Sequence, residues 1–327
     1  VDKGKMKNIL NTLIFCLVFG CFSVGAQDVS QYPQKTVKIV APGPGSGTDL
    51  TARVLAKQLA KPWKQAVIIE NKPGAGGSIG IAAVINSPPD GYTLLANSAT
   101  YVINPAVYKK LPYDASKGLV DVSLMTTTPY VLVVSEESPY KSLKDLVGAL
   151  KAGSGNITFG SAGVGSSTHL ASEYFNQIAG VKALHIPYKS SPEAIQDVMA
   201  GRVTYFMAPF DTAVSHIKSK KLRPLGITSK DRLVSFNELS TIAEQGYPNF
   251  NINFWVGLWA PAGTPPEILR KINRDVTLAL QDPEIKASFE SNGVEVRSLT
   301  QPEFKQFIQD ELQKYRKIVS QAGIVAE

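Results

Sequence analysis

Two short stretches of this sequence carry the residue types that chemistry would need. Ala41-Pro42-Gly43-Pro44-Gly45-Ser46-Gly47-Thr48 follows an apolar run, Val37 to Val40, and precedes a segment of helical period. About 120 residues later Gly160-Ser161-Ala162-Gly163-Val164-Gly165-Ser166-Ser167 follows Ile157-Thr158-Phe159 and again precedes a helical segment. Glycines before a helix start let backbone N–H groups turn toward a ligand, and the helix N-terminus adds partial positive charge. Ser and Thr at that point cap the helix and donate hydrogen bonds. The chemistry that follows is capture of an anion, a carboxylate above all, by main-chain amides and hydroxyls. Facing each other across a cleft, the two loops would need no Arg or Lys directly on it. Glycine-rich strand-to-helix turns also arise for steric reasons alone; the pair, both rich in hydroxyls, favours a binding cleft.

Catalytic patterns are poorly supplied. No Walker A stretch and no G-x-S-x-G elbow occur. Gly74-Ala75-Gly76-Gly77-Ser78-Ile79-Gly80 imitates a dinucleotide fingerprint, but Glu70-Asn71-Lys72-Pro73 separates it from its strand, so it reads as a turn feeding a helix. Ser166 or Ser167 with His169, and Asp211 as orienting acid, would make a Ser–His hydrolase. A His three residues after a Ser at a helix start rarely reaches nucleophile-to-base geometry, and His169 reads instead as a residue bonded to nearby backbone. The expectation is a protein that is not an enzyme. Both cysteines, Cys16 and Cys21, fall in the first 21 residues and the chain has 3 His. Internal disulfides and Cys-based zinc sites in the body are thereby excluded, no metal site is expected, and no cofactor.

The elements that would hold these loops alternate strand-like apolar runs with helix-period segments, an α/β pattern. Strands are expected at Val37–Val40, Val67–Ile69, Thr93–Ala96, Val131–Val134, Ile157–Phe159, Ala183–Ile186, Val203–Met207, Leu225–Ile227 and Phe254–Trp259. Helices are expected over 49–59, 78–86, 143–150, 168–178 and 192–200, with two more starting near Pro266 and Pro302. At 327 residues the chain has length for two domains. Residues 1–26 read as an export signal: Lys3, Lys5 and Lys7, then the apolar Leu13 to Phe19, then small residues ending at Ala26. A second reading cuts before Cys21 and lipidates it. Removing Asp2, Lys3, Lys5 and Lys7 with the leader takes the formal net charge from +7 to +5. The densest basic run, Lys218 to Arg223, lacks interleaved aromatics and reads as a solvated helix end, so nucleic acid is not an expected partner.

Taken in order, several segments resemble the Bug/TctC-type extracytoplasmic solute receptors of tripartite tricarboxylate transporters. They are Gly45-Ser46-Gly47-Thr48-Asp49, Glu70-Asn71-Lys72-Pro73-Gly74-Ala75-Gly76-Gly77, Pro89-Asp90-Gly91-Tyr92, Gly160 to Leu170, Pro187-Tyr188-Lys189 and Ile242 to Pro248. The resemblance implies a two-lobed periplasmic binding protein, type II-like, closing like a Venus flytrap across two crossing segments, 130–134 and 251–258. Lobe 1 would comprise 27–129 and 254–327, with the C-terminal helices returning to it, and lobe 2 would comprise 130–253. It further implies capture of a small carboxylate (a di- or tricarboxylate, an aromatic acid or an acidic amino acid) and delivery to inner-membrane transporter subunits by a monomeric receptor. A receptor that signals to a sensor kinase has the same sequence signature. Carried over, Pro44, Gly45, Ser46, Gly47, Thr48 and Asp49, then Asn97 and Ser98, then Ser161, Val164, Gly165, Ser166 and Ser167 would surround the ligand, Asp49 more as organiser of its loop. Ser190 and Glu193 stand where the family usually has Gly and Ala.

Overall fold

The computed structural model describes residues 31–322, apart from 109, 115–116 and 154–156. The export signal, Ala26 and Cys21 lie outside the described residues. In chain order the first elements are β1 (Val37–Ala41), α1 (Gly47–Trp63), β2 (Val67–Asn71), α2 (Ser78–Ile85), β3 (Thr93–Asn97) and α3 (Thr100–Val107). Next come β4 (Leu119–Ser135), α4 (Leu143–Lys151), β5 (Thr158–Ser161), α5 (Ser167–Ala179), β6 (Leu184–Pro187), α6 (Ser191–Met199), β7 (Tyr205–Pro209), α7 (Phe210–Lys218) and β8 (Leu222–Ile227). The chain closes with β9 (Asn253–Pro261), α8 (Pro266–Leu280), α9 (Pro283–Glu290), β10 (Glu295–Val296) and α10 (Gln301–Ala322).

One sheet runs β2-β1-β3-β9-β4-β7-β5-β6, with β8 and β10 also paired to β4. β1 is parallel to β2 and β3, and β5 is parallel to β6 and β7. β9 and β4 join these two parallel groups through antiparallel ladders. The strand β4 belongs to both: Leu119 to Pro129 pair with β9, and Tyr130 to Val134 pair with β7. The change of partner falls between Pro129 and Tyr130. Pro129 has no N–H to give a ladder, and the Tyr130 amide bonds the Thr228 hydroxyl at 2.8 Å.

The sequence predicted only Val131–Val134 here, and β4 is 17 residues long. Its first part hides from hydropathy because its polar side chains are buried and satisfied locally. Asp121 accepts the Trp259 indole N–H at 2.9 Å, and the Thr128 hydroxyl donates to the Gly293 carbonyl at 2.8 Å. The helix α3 also went unforeseen. It has no side-chain cap and holds Pro105 inside, so neither start nor stop signal marks it. α9, between the two expected C-terminal helices, is a further addition.

Aromatic packing anchors the β9 side, where Trp255, Trp259 and Phe304 interlock, and Trp255 Nε1 donates to buried Glu311 of α10 at 2.7 Å. The β7 side has its own core of Val131, Val133, Phe206, Phe210, Val214 and Ile227. The C-terminal helices divide their contacts. α8 packs on α1 and β4, whereas α10 lies against α3, α5 and β4, touching elements from both parallel groups.

Candidate functional site

The two glycine loops share one turn and one helix cap. In each, a turn is closed across four residues, with Ser46 N–H donating to Gly43 O at 3.2 Å and Ser166 N–H to Gly163 O at 3.1 Å. The third residue is glycine with positive φ, 74° at Gly45 and 73° at Gly165, which a type II turn requires. The serine that follows caps the helix: Ser46 Oγ accepts from Asp49 N–H and Ser166 Oγ from His169 N–H, both at 3.3 Å. The likeness extends one step further. The side chain three residues past the cap reaches back for the turn glycine's amide, Asp49 Oδ2 for Gly45 at 2.8 Å and His169 Nδ1 for Gly165 at 3.3 Å.

The parallel strands bring these loops to the same place, together with more helix starts than the sequence suggested. A cavity of about 50 Å³ is lined by Ser46, Gly47 and Thr48 at α1, Gly76 and Gly77 at α2, and Ser98 and Thr100 at α3. From the other side come Ser166, Ser167 and Thr168 at α5, Ser190 and Ser191 at α6, and Pro209 before α7. Six helices therefore begin there, each eight residues or longer. The first amides of a helix lack intrahelical partners and carry the positive end of its dipole. Among the described residues the N–H groups of Gly47, Thr48 and Thr168 have no acceptor. Asn97, also on the wall, turns its Oδ1 onto Ser98 N–H at 2.7 Å. A place so built favours an anion.

A larger cavity, about 460 Å³, lies where β4 changes partner, against Thr127, Thr128, Pro129, Leu233 and Asn253. It is lined by Asp231, Glu290 and Glu295, and α9 ends there at Glu290. A helix C-terminus and three carboxylates disfavour an anion, so electrostatics select the smaller cavity despite its size.

The two sides touch around the small cavity, and glycines permit the contact. A Cβ on Gly43 would lie 2.7 Å from Ser190 Cβ, and one on Gly47 would lie 2.8 Å from both Asp211 carboxylate oxygens. A Cβ on Gly76 would collide with the Val164 carbonyl oxygen, and one on Gly165 would lie 2.7 Å from the Tyr108 ring. Hydrogen bonds cross as well. The Tyr108 hydroxyl donates to Val164 O at 2.6 Å, Ser167 N–H meets Thr100 Oγ1 at 3.4 Å, and the Ser98 and Ser167 hydroxyls lie 3.4 Å apart.

Of the residues expected around a ligand, Ser46, Gly47, Thr48, Asn97, Ser98, Ser166 and Ser167 line this cavity. Six others do not, each for a local reason. Pro44 and Gly45 sit at the tip of their turn, exposed to solvent. Asp49 is buried behind the loop, where Gly45, Arg53 and Asn71 all donate to it. Ser161 Oγ is held by His185 Nε2 at 2.6 Å. Val164 gives its carbonyl to Tyr108, and the Gly165 amide is turned onto His169. Conversely, the segment read as a mere turn before α2 reaches the cavity through Gly74, Gly76 and Gly77. Its consecutive glycines at positive φ, 54° at Gly76 and 85° at Gly77, were the available signal. Ser190 and Ser191 carried one too, as hydroxyls preceding Pro192 at the start of a helix.

The geometry does not pair the Ser166 hydroxyl with the His169 ring as nucleophile and base. His169 Nδ1 accepts from Gly165, its Nε2 lies 3.9 Å from Glu173, and its ring stacks on His185 at 4.0 Å between centroids. The Ser166 hydroxyl is occupied as the helix cap, next to Thr168 Oγ1. Burial, with the neighbouring His185 adding to it, pushes His169 down to about 3, and burial pushes His185 down to about 4. Both rings are neutral at pH 7. As pH falls below about 6.5 the unfolded chain gains protons that these folded imidazoles refuse, so the folded state loses up to about 1.4 kcal/mol per pH unit for each. Asp211, raised by burial to about 6, acts in the opposite sense: its contribution is present below its unfolded value and is lost as pH rises through 6. The comparison that isolates the histidines is His185→Phe against the wild type. Denaturant midpoints followed from pH 6.5 to 4.5 should show the variant losing less stability on acidification, and parallel curves would refute the neutral-pair assignment.

Residues 51–324 match the family described as the tripartite tricarboxylate transporter family receptor. The chain belongs to that family. It is 36% identical over 295 residues to the protein BugT of Bordetella pertussis, covering 89% of this chain and 90% of that one. Among solved structures it is similar to the periplasmic binding protein BugD, with TM-score 0.86 and 28% identity over 90% of this chain and 100% of that one. It is similar too to Rpa4515 of R. palustris with adipate, with TM-score 0.87 and 28% identity over 90% of this chain and 99% of that one. Among the described residues no helix is long and apolar enough to cross a membrane.

Proposed function

We propose that this chain is a periplasmic receptor that captures a small carboxylate and passes it to membrane transporter subunits, working as a monomer and without catalysis. The observation that carries this reading is the convergence of six helix N-termini on one hydroxyl-lined cavity, whose wall among the described residues includes the free amides of Gly47, Thr48 and Thr168. The family relative that holds adipate supports the ligand class. In this reading the described residues form two lobes, 33–129 with 254–322, and 130–253, hinged where β4 changes partner at Pro129–Tyr130 and at the start of β9.

The cavity has room for no more than a few waters, against roughly 300–1,000 Å³ for ordinary small-ligand sites. The lobes therefore part to admit the ligand and come back around it. Shutting out water strengthens the amide-to-carboxylate bonds by lowering the local dielectric. Release to a transporter then needs only a partner that prefers the open form. The first test is a thermal-shift screen of mono-, di- and tricarboxylates, aromatic acids and amino acids at millimolar concentration. A ligand at 100 times its dissociation constant stabilises by about 2.7 kcal/mol, a shift of roughly 4 °C at about 2.1 cal/mol/K of unfolding entropy per residue. No shift with any carboxylate, alongside a shift with amines or neutral sugars, would overturn the reading.

A further inference from the structure

Three acidic residues sit in the first turns of helices that start at the cavity: Asp49 in α1, Glu193 in α6 and Asp211 in α7. Two of them are occupied with their own loops. Asp49 takes the Gly45 amide, Arg53 and Asn71. Glu193 takes the Ser190 hydroxyl at 3.2 Å and the Lys189 amide at 3.4 Å. Asp211 accepts only from its own turn, the Thr212 hydroxyl at 3.3 Å and adjacent amides. Among the described residues no Lys, Arg or His pairs with it. Yet it lies directly behind the cavity wall, against Gly47. Its two oxygens face Gly47, whose Cβ, if present, would be 2.8 Å from each, and Phe254 packs against the same glycine. Gly47, Phe254 and Pro209, which precedes α7, all line the cavity.

A carboxylate partly removed from water with no cation beside it is costly to keep. It also works against the cavity's own preference, because a dianion drawn to the helix starts would meet its repulsion. Both difficulties vanish for a guest that brings its own positive charge. We propose that Asp211 is the cation-reading group of this receptor, and that the ligand is a carboxylate which also carries a protonated amine. The carboxylate sits on the free amides of Gly47, Thr48 and Thr168, and the ammonium meets Asp211. This rests on the carboxylate-receptor reading above and narrows it. The rival role for Asp211, a charge that merely seals the contact with α1, leaves ligand choice untouched.

The test is titration calorimetry at pH 7.5 with matched pairs that differ by the amine: L-aspartate and succinate, L-glutamate and glutarate, 4-aminobutyrate and butyrate. Wild-type protein should bind the amine-bearing member of a pair at least tenfold tighter. Asp211→Asn should reduce that preference tenfold or more, mostly by weakening the amine-bearing member, while its thermal melt without ligand is unchanged or higher. An equal or reversed preference in the wild type overturns the proposal, which keeps it decidable even if the variant folds poorly. So does a preference that survives Asp211→Asn. If amine-free acids bind and their amines do not, this proposal fails and the carboxylate reading stands. If neither series binds, both fail.

Discussion

Gly43→Ala and Gly47→Ala are each expected to lower ligand affinity by roughly 5- to 150-fold without destabilising the ligand-free protein. The reason is the contact across the cavity. An added methyl on Gly43 would stand 2.7 Å from Ser190 Cβ, and one on Gly47 would stand 2.8 Å from the Asp211 carboxylate and 3.1 Å from the Phe254 ring. Neither glycine has a positive φ, so alanine brings no backbone strain, and the added atoms matter only when the two sides meet. Overpacking of this kind costs about 1–3 kcal/mol, and that cost enters as a difference between open and shut forms, hence as the stated loss of affinity. Gly165→Ala would be a poorer experiment, since its φ of 73° adds strain to its clash with Tyr108. Gly148→Ala, in α4 with nothing within 4 Å of the new methyl, supplies the control and should bind as the wild type does. Calorimetry with the screened ligand gives the affinities. Undiminished binding by both variants would mean that the two sides do not come together around the ligand.

Asp49→Ala should cost about 2–4 kcal/mol of folding stability and weaken binding as well. Asp49 is 1% exposed and takes three donors, from Gly45, Arg53 and Asn71. Each orphaned donor costs on the order of 1–3 kcal/mol when dry; Arg53 is half exposed and recovers part of that from water, which sets the upper end. Binding falls because the Gly45 amide is what fixes the turn that presents Gly47 and Thr48. Asp49→Asn, which keeps an acceptor, should recover much of the stability. Urea titration followed by circular dichroism measures both, and an Asp49→Ala midpoint equal to the wild type would remove Asp49 as organiser of the loop.

Much of this architecture was legible in the sequence. The loops at 41–48 and 160–167 declare themselves because the turn, the cap and the helix start are all local and each needs a particular residue: glycine for positive φ, serine for the cap. What stayed hidden depends on residues distant in the chain. That Gly165 turns its amide onto His169 rather than into the cavity, or that Val164 gives its carbonyl to Tyr108, cannot be inferred from loop composition. The Gly74–Gly77 segment reads as a turn feeding a helix because Glu70-Asn71-Lys72-Pro73 sets it off its strand. The fold returns it to the cavity through the parallel pairing of β1 with β2 and β3. Ser190 and Ser191 reach the same wall only because β6 lies next to β5. The length of β4 was masked by buried Ser123, Thr126 and Thr128, whose hydroxyls are satisfied within the fold or lie beside polar partners.

The helix starts also explain how this cavity would favour an anion without an arginine in its wall. Six partial charges at N-termini, each about half an elementary charge and effective within the first turn, act together where their ends converge. Lys189 is the cationic residue on the lining among the described residues, and it is exposed. A site of this kind reads shape and hydrogen-bond geometry as well as charge.

The most direct measurement is a crystal structure of the protein with the carboxylate that gives the largest thermal shift. A carboxylate oxygen is expected about 3 Å from the amides of Gly47 and Thr48 or of Thr168, with Ser190 and Asp211 drawn close on the opposite side. A ligand bound instead in the larger cavity beside Pro129 and Asn253, with those amides facing only solvent, would contradict it.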